Sequence, residues 1–367
     1  MQSTLTAAAL TASILAASCA SSPERGETRR FAVLNRFEVQ VPEGTGELRG
    51  WFALPDDREE FQSLSDLAVA VDAPPGAEVE EREVRDGEGN RFLYLAVRGA
   101  DGGALAVETA FEVERREVRV TTDPGATRAP NEDERRELAP FLEEDTHVRP
   151  TPEIRAAAAA AVGDAENPMV QARRLYDWVL EHVQYWVKDP DRLKSSGVGS
   201  SAYAFEECTG NCTDFHSLYA AAARSTGIPT RMVYGSLFKG PLDGEDRDQS
   251  YHCWIEFHAP EVGWVPVDVA LADLFVADFP VTETNREKVA LTLADGYAGP
   301  DPALVDYYFG NLDARRVTWH RGRDLRLEPP PSAGALNALP KAHLEADGEA
   351  LAEGRDWSRT LTFRELP

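Results

Sequence analysis

Positive charge and cysteine are both scarce in this chain of 367 residues. Lys and Arg number 38 against 63 Asp and Glu, which leaves a formal net charge of −25 and a pI near 4.7. A surface that acidic repels phosphate backbones, so nucleic acid is not an expected partner. Beyond the first twenty residues no apolar run is long enough to cross a bilayer. No Cys-x-x-Cys pair, calcium loop, nucleotide-binding motif or internal repeat is present, and no cofactor is expected. The cysteines are Cys19, Cys208, Cys212 and Cys253. Runs of acid such as Glu132 to Glu137 read as solvated faces.

The first residues read as an address. From Leu5 to Ser18 the chain is uncharged and apolar or small, the length of a signal-peptide core and not of a spanning helix. Leu15-Ala16-Ala17-Ser18-Cys19 resembles a bacterial lipobox, with Ala16 where leucine is usual and no Lys or Arg in the leader. The expectation is an exported protein on the periplasmic face of a bacterial membrane, lipid-anchored at Cys19, with residues 20–30 as tether. The competing reading is an ordinary signal peptide with Cys19 incidental. With Cys19 as anchor, three cysteines remain, and three cannot all pair. At least one thiol then stays free in an oxidising compartment.

A chain this long exceeds one ordinary core. Residues 31–122 read as an N-terminal β-domain. Leu105, Val107, Thr109, Phe111 and Val113 alternate with Ala106, Glu108, Ala110, Glu112 and Glu114, the period of a sheet with one wet face. Phe37, Val39 and Val41, and then Leu67, Val69 and Val71, repeat the pattern. A Pro/Gly/Asp-rich linker near residues 121–131 opens a second unit, 123–328. There Thr151-Pro152 and Asn167-Pro168 each start a helix. Val170, Leu175, Trp178, Val179 and Val183 form a core stripe, and residues 188–207 read as a loop. A helix runs from Cys212 to about Thr226, ahead of three strands at 232–238, 250–257 and 264–269. Helices first and sheet second makes an α+β domain. Pro329-Pro330-Pro331 sets off a short C-terminal strand region, 329–367.

Cys212 stands where a thiol is activated. Gly210-Asn211 permits a sharp turn into the helix, and the positive end of the helix dipole favours thiolate over thiol. The same N–H groups suit an oxyanion. The plain alternative is a small buried hydrophobe, the usual fate of a free cysteine. A hairpin folded symmetrically about Pro260 sets His252 opposite Asp268, so the carboxylate orients the imidazole for the thiol. Cys253, Ile255 and Phe257 then face the core, with Cys253 pointing away from His252. His216 lies one turn after Cys212 with no acid placed to orient it. Asp214 is expected to stabilise the helix start, and His258 to be solvated at the turn. Zinc held by some of Cys208, Cys212, His216, His252 and Cys253 is a further alternative, disfavoured by the spacing.

Four ordered segments resemble bacterial transglutaminase-like proteins: Gly210 to Leu218, Gly227 to Gly235, Tyr251 to Phe257 and Gly263 to Asp268. Phe309 to Asp313 and Gly322 to Leu325 resemble the downstream segments of such proteins, and Gly89 to Arg91 and Arg115 to Val118 their upstream β-domain. The resemblance implies a papain-like fold with Cys212 as nucleophile, His252 as base and Asp268 as its orienter. It also implies attack on an amide carbonyl, a thioester, and transfer of the acyl group to water or an amine. The tryptophan that such proteins carry in a Gly-rich stretch before the cysteine is absent from Gly197-Val198-Gly199. Trp186 or Tyr203 are the substitutes considered for the oxyanion side chain, beside the Cys212 N–H. The expected partners are a protein, peptide or peptidoglycan-like substrate and an amine acceptor, with hydrolysis slightly favoured over amine transfer. The alternative is a catalytically silent binding module at the cell envelope.

Overall fold

Alternation of apolar and polar residues builds the outer half of the molecule. The computed structural model describes residues 26–367 except 59, 101, 246–250 and 294–296, with the side chains of 290–292 also left aside. The leader and Cys19 lie outside the described residues. One antiparallel sheet has the order Trp357–Leu366, Thr28–Gln40, Ala104–Arg116, Gln62–Asp72. A second has the order Glu349–Ala350, Ala342–Ala346, Glu47–Ala53, Arg91–Arg98, Glu78–Arg85. Leu105, Val107, Thr109, Phe111 and Val113 are all buried, as their spacing predicts. Leu67, Val69 and Val71 are only half-buried, because Gln62–Asp72 is an edge strand with a bulge between Ser65 and Ala68.

The C-terminal strands complete these sheets. Ala342–Ala346 pairs with Glu47–Ala53, and Trp357–Leu366 with Thr28–Gln40. Residues 329–367 therefore form part of the β-domain and not a separate appendage. Pairing across some three hundred residues is set by the sheet as a whole, which local pattern does not record. Phe37, Phe52, Leu93, Leu105 and Trp357 fill the space between the sheets. A second cluster joins Phe31, Trp51 and Phe111 to Phe238, Val317 and Trp319 of the inner half, so one core runs through both.

The inner half is a helix layer on an antiparallel sheet of order Gly263–Val267, Tyr251–Ala259, Thr230–Leu237, Arg316–Arg321. Thr151 Oγ1 accepts from the Ile154 N–H to start the helix Pro152–Val162, and Asn167 Oδ1 caps Pro168–His182 through the N–H groups of Met169 and Val170. The buried stripe of the latter is Met169, Ala172, Leu175, Tyr176 and Val179, rotated slightly from expectation, with Val170 and Trp178 half-buried. Part of the expected loop is helical: Ser201–Glu207, capped by Ser200. The fold is α+β, with Cys212–Ser225 buried along most of its length between the sheet and the other helices.

Candidate active site

Asn211 fixes where the Cys212 helix begins. Its Oδ1 accepts from the N–H groups of Thr213 and Asp214 at 3.0 and 3.1 Å, while Asp214 Oδ2 accepts from the Asn211 N–H at 3.0 Å. This capping box leaves Cys212 at the first helical position, among the N–H groups that a helix does not pair internally. A Cβ on Gly210 would lie 2.4 Å from Asp214 Cβ, so the chain passes the helix start at a distance that only glycine permits. Asp214 also accepts from Ser196 Oγ and the Ser200 N–H. It holds the preceding loop as well as the helix.

His252 and Asp268 meet through a register two residues from the symmetric one. The loop is Pro260, Glu261 and Val262, centred on Glu261 at φ 70, so Glu256 faces Pro266 and His258 faces Trp264. A shift of two keeps every side chain on its expected face. His252 Nε2 donates to Asp268 Oδ2 at 2.8 Å, which leaves Nδ1 available to the Cys212 thiol in the same cleft. Asp268 ends the strand by capping the short helix Val269–Asp273, its Oδ1 accepting from the Leu271 N–H.

Arg316 is the site residue that the sequence reading missed. It is fully buried, donates from Nη1 to Asp268 Oδ2 at 2.7 Å and from Nε to Asp313 Oδ2 at 2.9 Å, and lies over the Trp254 ring. The only signal was its place three residues after Asp313, at the edge of a resembling segment. His216 also differs from expectation, because an acid does lie near it: Nε2 is 3.6 Å from Asp268 Oδ1, too far for a hydrogen bond. Burial lowers the His216 pKa to about 4, so the ring is neutral. Cys253 is buried in the core as expected, but there the core is the start of the nucleophile helix. Its Sγ donates to Thr213 Oγ1 at 3.5 Å and lies 3.6 Å from His216 Nδ1, close enough to Cys212 to influence its thiol.

The charges favour an ion pair at rest. The hydrogen bond from Cys253, then the bond and charge of His252, hold the Cys212 thiol well below its ordinary range, against the opposing effect of burial. Burial would lower the His252 pKa, but the Asp268 charge and hydrogen bond overcome it and raise the value to about 9. Burial likewise works to raise Asp268, and the His252 and Arg316 charges hold it far below the carboxylate range instead. Thiolate and imidazolium therefore coexist near neutrality.

A cleft of about 360 Å³ opens onto this group, lined by Tyr185, Trp186, Asn211, Cys212, Lys239 and His252 among others. Gln184–Tyr185 pairs with Thr209–Gly210, and the Tyr185 N–H donates to Asp273 Oδ2 at 2.9 Å, which pins the Trp186 segment beside the nucleophile. Tyr203 sits on the helix Ser201–Glu207 and is absent from this lining. His258 is half-buried with its ring edge-on to Trp264, not solvated. Among the described residues no group of three or more His, Cys, Asp or Glu is placed to hold a metal ion.

A cysteine opening a helix that packs on a sheet supplying histidine and aspartate defines a papain-like thiol-enzyme architecture. Residues 155–269 match the transglutaminase-like superfamily, and this part of the chain is a transglutaminase-like domain. An uncharacterized protein of Haemophilus influenzae is 24% identical over 236 residues, 58% of each chain. A Pseudomonas aeruginosa protein named protein-glutamine gamma-glutamyltransferase is 26% identical over 152 residues, 40% of this chain. The chain thus spans 58% of one relative's length and 20% of the other's. A solved structure of a candidate cysteine protease from Cytophaga hutchinsonii superposes with a TM-score of 0.56 at 18% identity, over 94% of this chain and 93% of that one. The shared fold therefore includes the β-domain as well as the core.

Proposed function

We propose that this chain is an exported thiol enzyme that cleaves or transfers amide acyl groups of peptides or proteins through a thioester on Cys212. The observation that carries the reading is the buried His252–Asp268 hydrogen bond at 2.8 Å in the same cleft as Cys212, whose thiol the His252 charge holds down. The thiolate attacks the amide carbonyl carbon, and the developing oxyanion meets the Cys212 N–H, with Trp186 across the cleft. The His252 imidazolium gives its proton to the departing nitrogen as the C–N bond breaks. Water or an amine then attacks the thioester, His252 takes its proton, and the thiolate leaves. Hydrolysis is the leading outcome because water needs no seat of its own, whereas an amine does. The name of the Pseudomonas aeruginosa relative supports the acyl-transfer alternative. Export rests on the leader and the resemblance at Cys19. Among the described residues no helix is long and apolar enough to span a membrane.

Intact-mass spectrometry during incubation with peptide amides, with and without a primary amine, tests this. The expected result is an acyl adduct on Cys212 that water discharges and an amine discharges faster. A protein that never acylates and whose Cys212 alkylates no faster than a free thiol would be the silent binding module instead.

A further inference from the structure

Two buried groups beside the nucleophile take no part in the acyl chemistry, and they lie against each other. Cys253 Sγ is 3.6 Å from His216 Nδ1, and His216 Nε2 is 3.6 Å from Asp268 Oδ1 with no hydrogen-bond partner of its own. The carboxylate favours the imidazole proton on Nε2, which leaves the Nδ1 lone pair facing the Cys253 thiol. Asp268 thus stands behind two histidines, one beside each buried cysteine. The two sulfurs also share a neighbour: the Thr213 hydroxyl oxygen is 3.5 Å from Cys253 Sγ and 4.0 Å from Cys212 Sγ. Their access to solvent differs. Cys212 lines the cleft, whereas Cys253 is fully buried and absent from that lining.

We propose that Cys253 is the resolving thiol of a redox site: a peroxide that oxidises Cys212 leaves a Cys212–Cys253 disulfide, which a thiol reductant reopens. The inference goes beyond the acyl chemistry and requires only that Cys212 is a reactive thiolate. In the first step the thiolate attacks a peroxide oxygen, the S–O bond forms, the O–O bond breaks and hydroxide leaves. Cys212 becomes a sulfenic acid, and the peroxide is reduced by two electrons. In the second step Cys253 gives its proton to His216 Nδ1 and attacks the sulfenic sulfur. The S–S bond forms as the S–O bond breaks, and the departing hydroxide takes the His252 proton to leave as water. The order of events is built into the charges. Burial, and next the neighbouring Cys212, keep Cys253 protonated at rest. The first step removes the thiolate charge, so Cys253 ionises more readily once its target exists. Without a second sulfur in reach, a sulfenic acid continues to sulfinic and sulfonic acid, which thiol reductants do not reverse.

Excess hydrogen peroxide at about pH 8, followed by dithiothreitol, tests the site on the full chain. Iodoacetamide labelling of Cys212 and mapping of non-reduced peptides are the readouts, so no acyl substrate is needed. The unaltered protein is expected to yield a Cys212–Cys253 cross-link and to recover about nine-tenths of its labelling after reduction. Cys253→Ala is expected to form no cross-link, to carry sulfinic or sulfonic acid at Cys212, and to recover only about a tenth. Before oxidation its Cys212 labels at the unaltered rate at this pH, which separates a lost resolving thiol from a lost fold. In Cys208→Ala, where the cross-link has a single assignment, cross-link and recovery should both persist. His216→Gln should slow only the second step, so that the sulfenic acid trapped by dimedone rises about tenfold; equal trapping overturns the proton transfer to His216. A cross-link through Cys208, irreversible oxidation of Cys212 in the unaltered protein, or equal recovery in Cys253→Ala would each overturn the resolving role. A reversible disulfide in a protein that peptide amides never acylate sinks the acyl chemistry and leaves the redox site. Acylation together with irreversible oxidation does the reverse.

Discussion

Cys208 and Cys212 share one stretch of chain, and each has a histidine for a neighbour, yet their surroundings differ in every respect that matters to a nucleophile. Cys208 is exposed, ends a helix in the left-handed region at φ 53, and has its Sγ 3.8 Å from His182 Nε2. That nitrogen is already committed, donating to the Phe205 carbonyl at 2.8 Å, so it offers the sulfur no lone pair. The ring stacks on both Trp178 and Phe205, which also pack against each other, so the three form an aromatic cluster. Cys212 instead begins a helix, and its histidine turns a nitrogen to Asp268 that leaves the other for the thiol. Proximity of sulfur and imidazole is common to both sites. What distinguishes them is the third group, which decides where the imidazole proton goes.

The sharpest way to break this comparison is to remove each sulfur in turn. Cys212→Ala is expected to reduce acyl turnover to background and abolish rapid alkylation, whereas Cys208→Ala leaves both intact. Loss of activity in Cys208→Ala with Cys212→Ala still active would reverse the assignment. Next in size is Asp268→Asn. It keeps the shape of the side chain but cannot hold the imidazole in the same proton arrangement, and it leaves the buried Arg316 facing an amide. A fall of about 10³–10⁴-fold in kcat is expected, together with a lowered melting temperature because the buried guanidinium keeps only Asp313 as a charged partner. Full activity in this variant would show that the Asp268 charge plays no part.

How far the site was legible in the sequence follows the same division. Cys212, His252 and Asp268 could be found because each is marked locally: a Gly-Asn ahead of a helix, and two alternating runs around a turn. The face assignments survived even though the register did not, since the hairpin slipped by two positions and not one. Arg316 carries no such mark. It reaches Asp268 from a strand 48 positions downstream, and the match to the transglutaminase-like superfamily ends at residue 269. The placement of Trp357–Leu366 beside Thr28–Gln40 was hidden for a similar reason, since either strand would suit any sheet with an open edge. Cys253 was assigned to the right face, but what lay behind that face depended on where the helix docked. Only packing shows that the core and the nucleophile meet there.

The pH dependence sharpens the comparison further. The proposed chemistry needs Cys212 as thiolate and His252 as imidazolium, so kcat/KM should hold steady through neutrality and fall as pH rises past about 9, roughly tenfold per unit once the proton is lost. Asp268→Asn should move that alkaline limb to lower pH, because the carboxylate is what raises the imidazole pKa. The linkage to stability has the same sign. A histidine whose pKa is higher folded than unfolded contributes fully below its ordinary value of 6.5 and loses the contribution as pH climbs through about 9. An alkaline limb that does not respond to Asp268→Asn would detach His252 from the carboxylate.

The smallest effect concerns Cys253. Burial and the neighbouring Cys212 push its thiol well above the ordinary range, so it remains protonated and can donate to the thiolate. That bond is the largest influence holding the Cys212 pKa down. Cys253→Ala should therefore slow iodoacetamide labelling of Cys212 by a few-fold at about pH 6 and leave the rate unchanged at about pH 8, where the thiolate forms without help. A variant that merely disturbed packing would slow labelling at both pH values and lower the melting temperature in step. Rates equal to wild type at the lower pH would mean that His252 and the helix start suffice for the ion pair, and that the second sulfur contributes only volume.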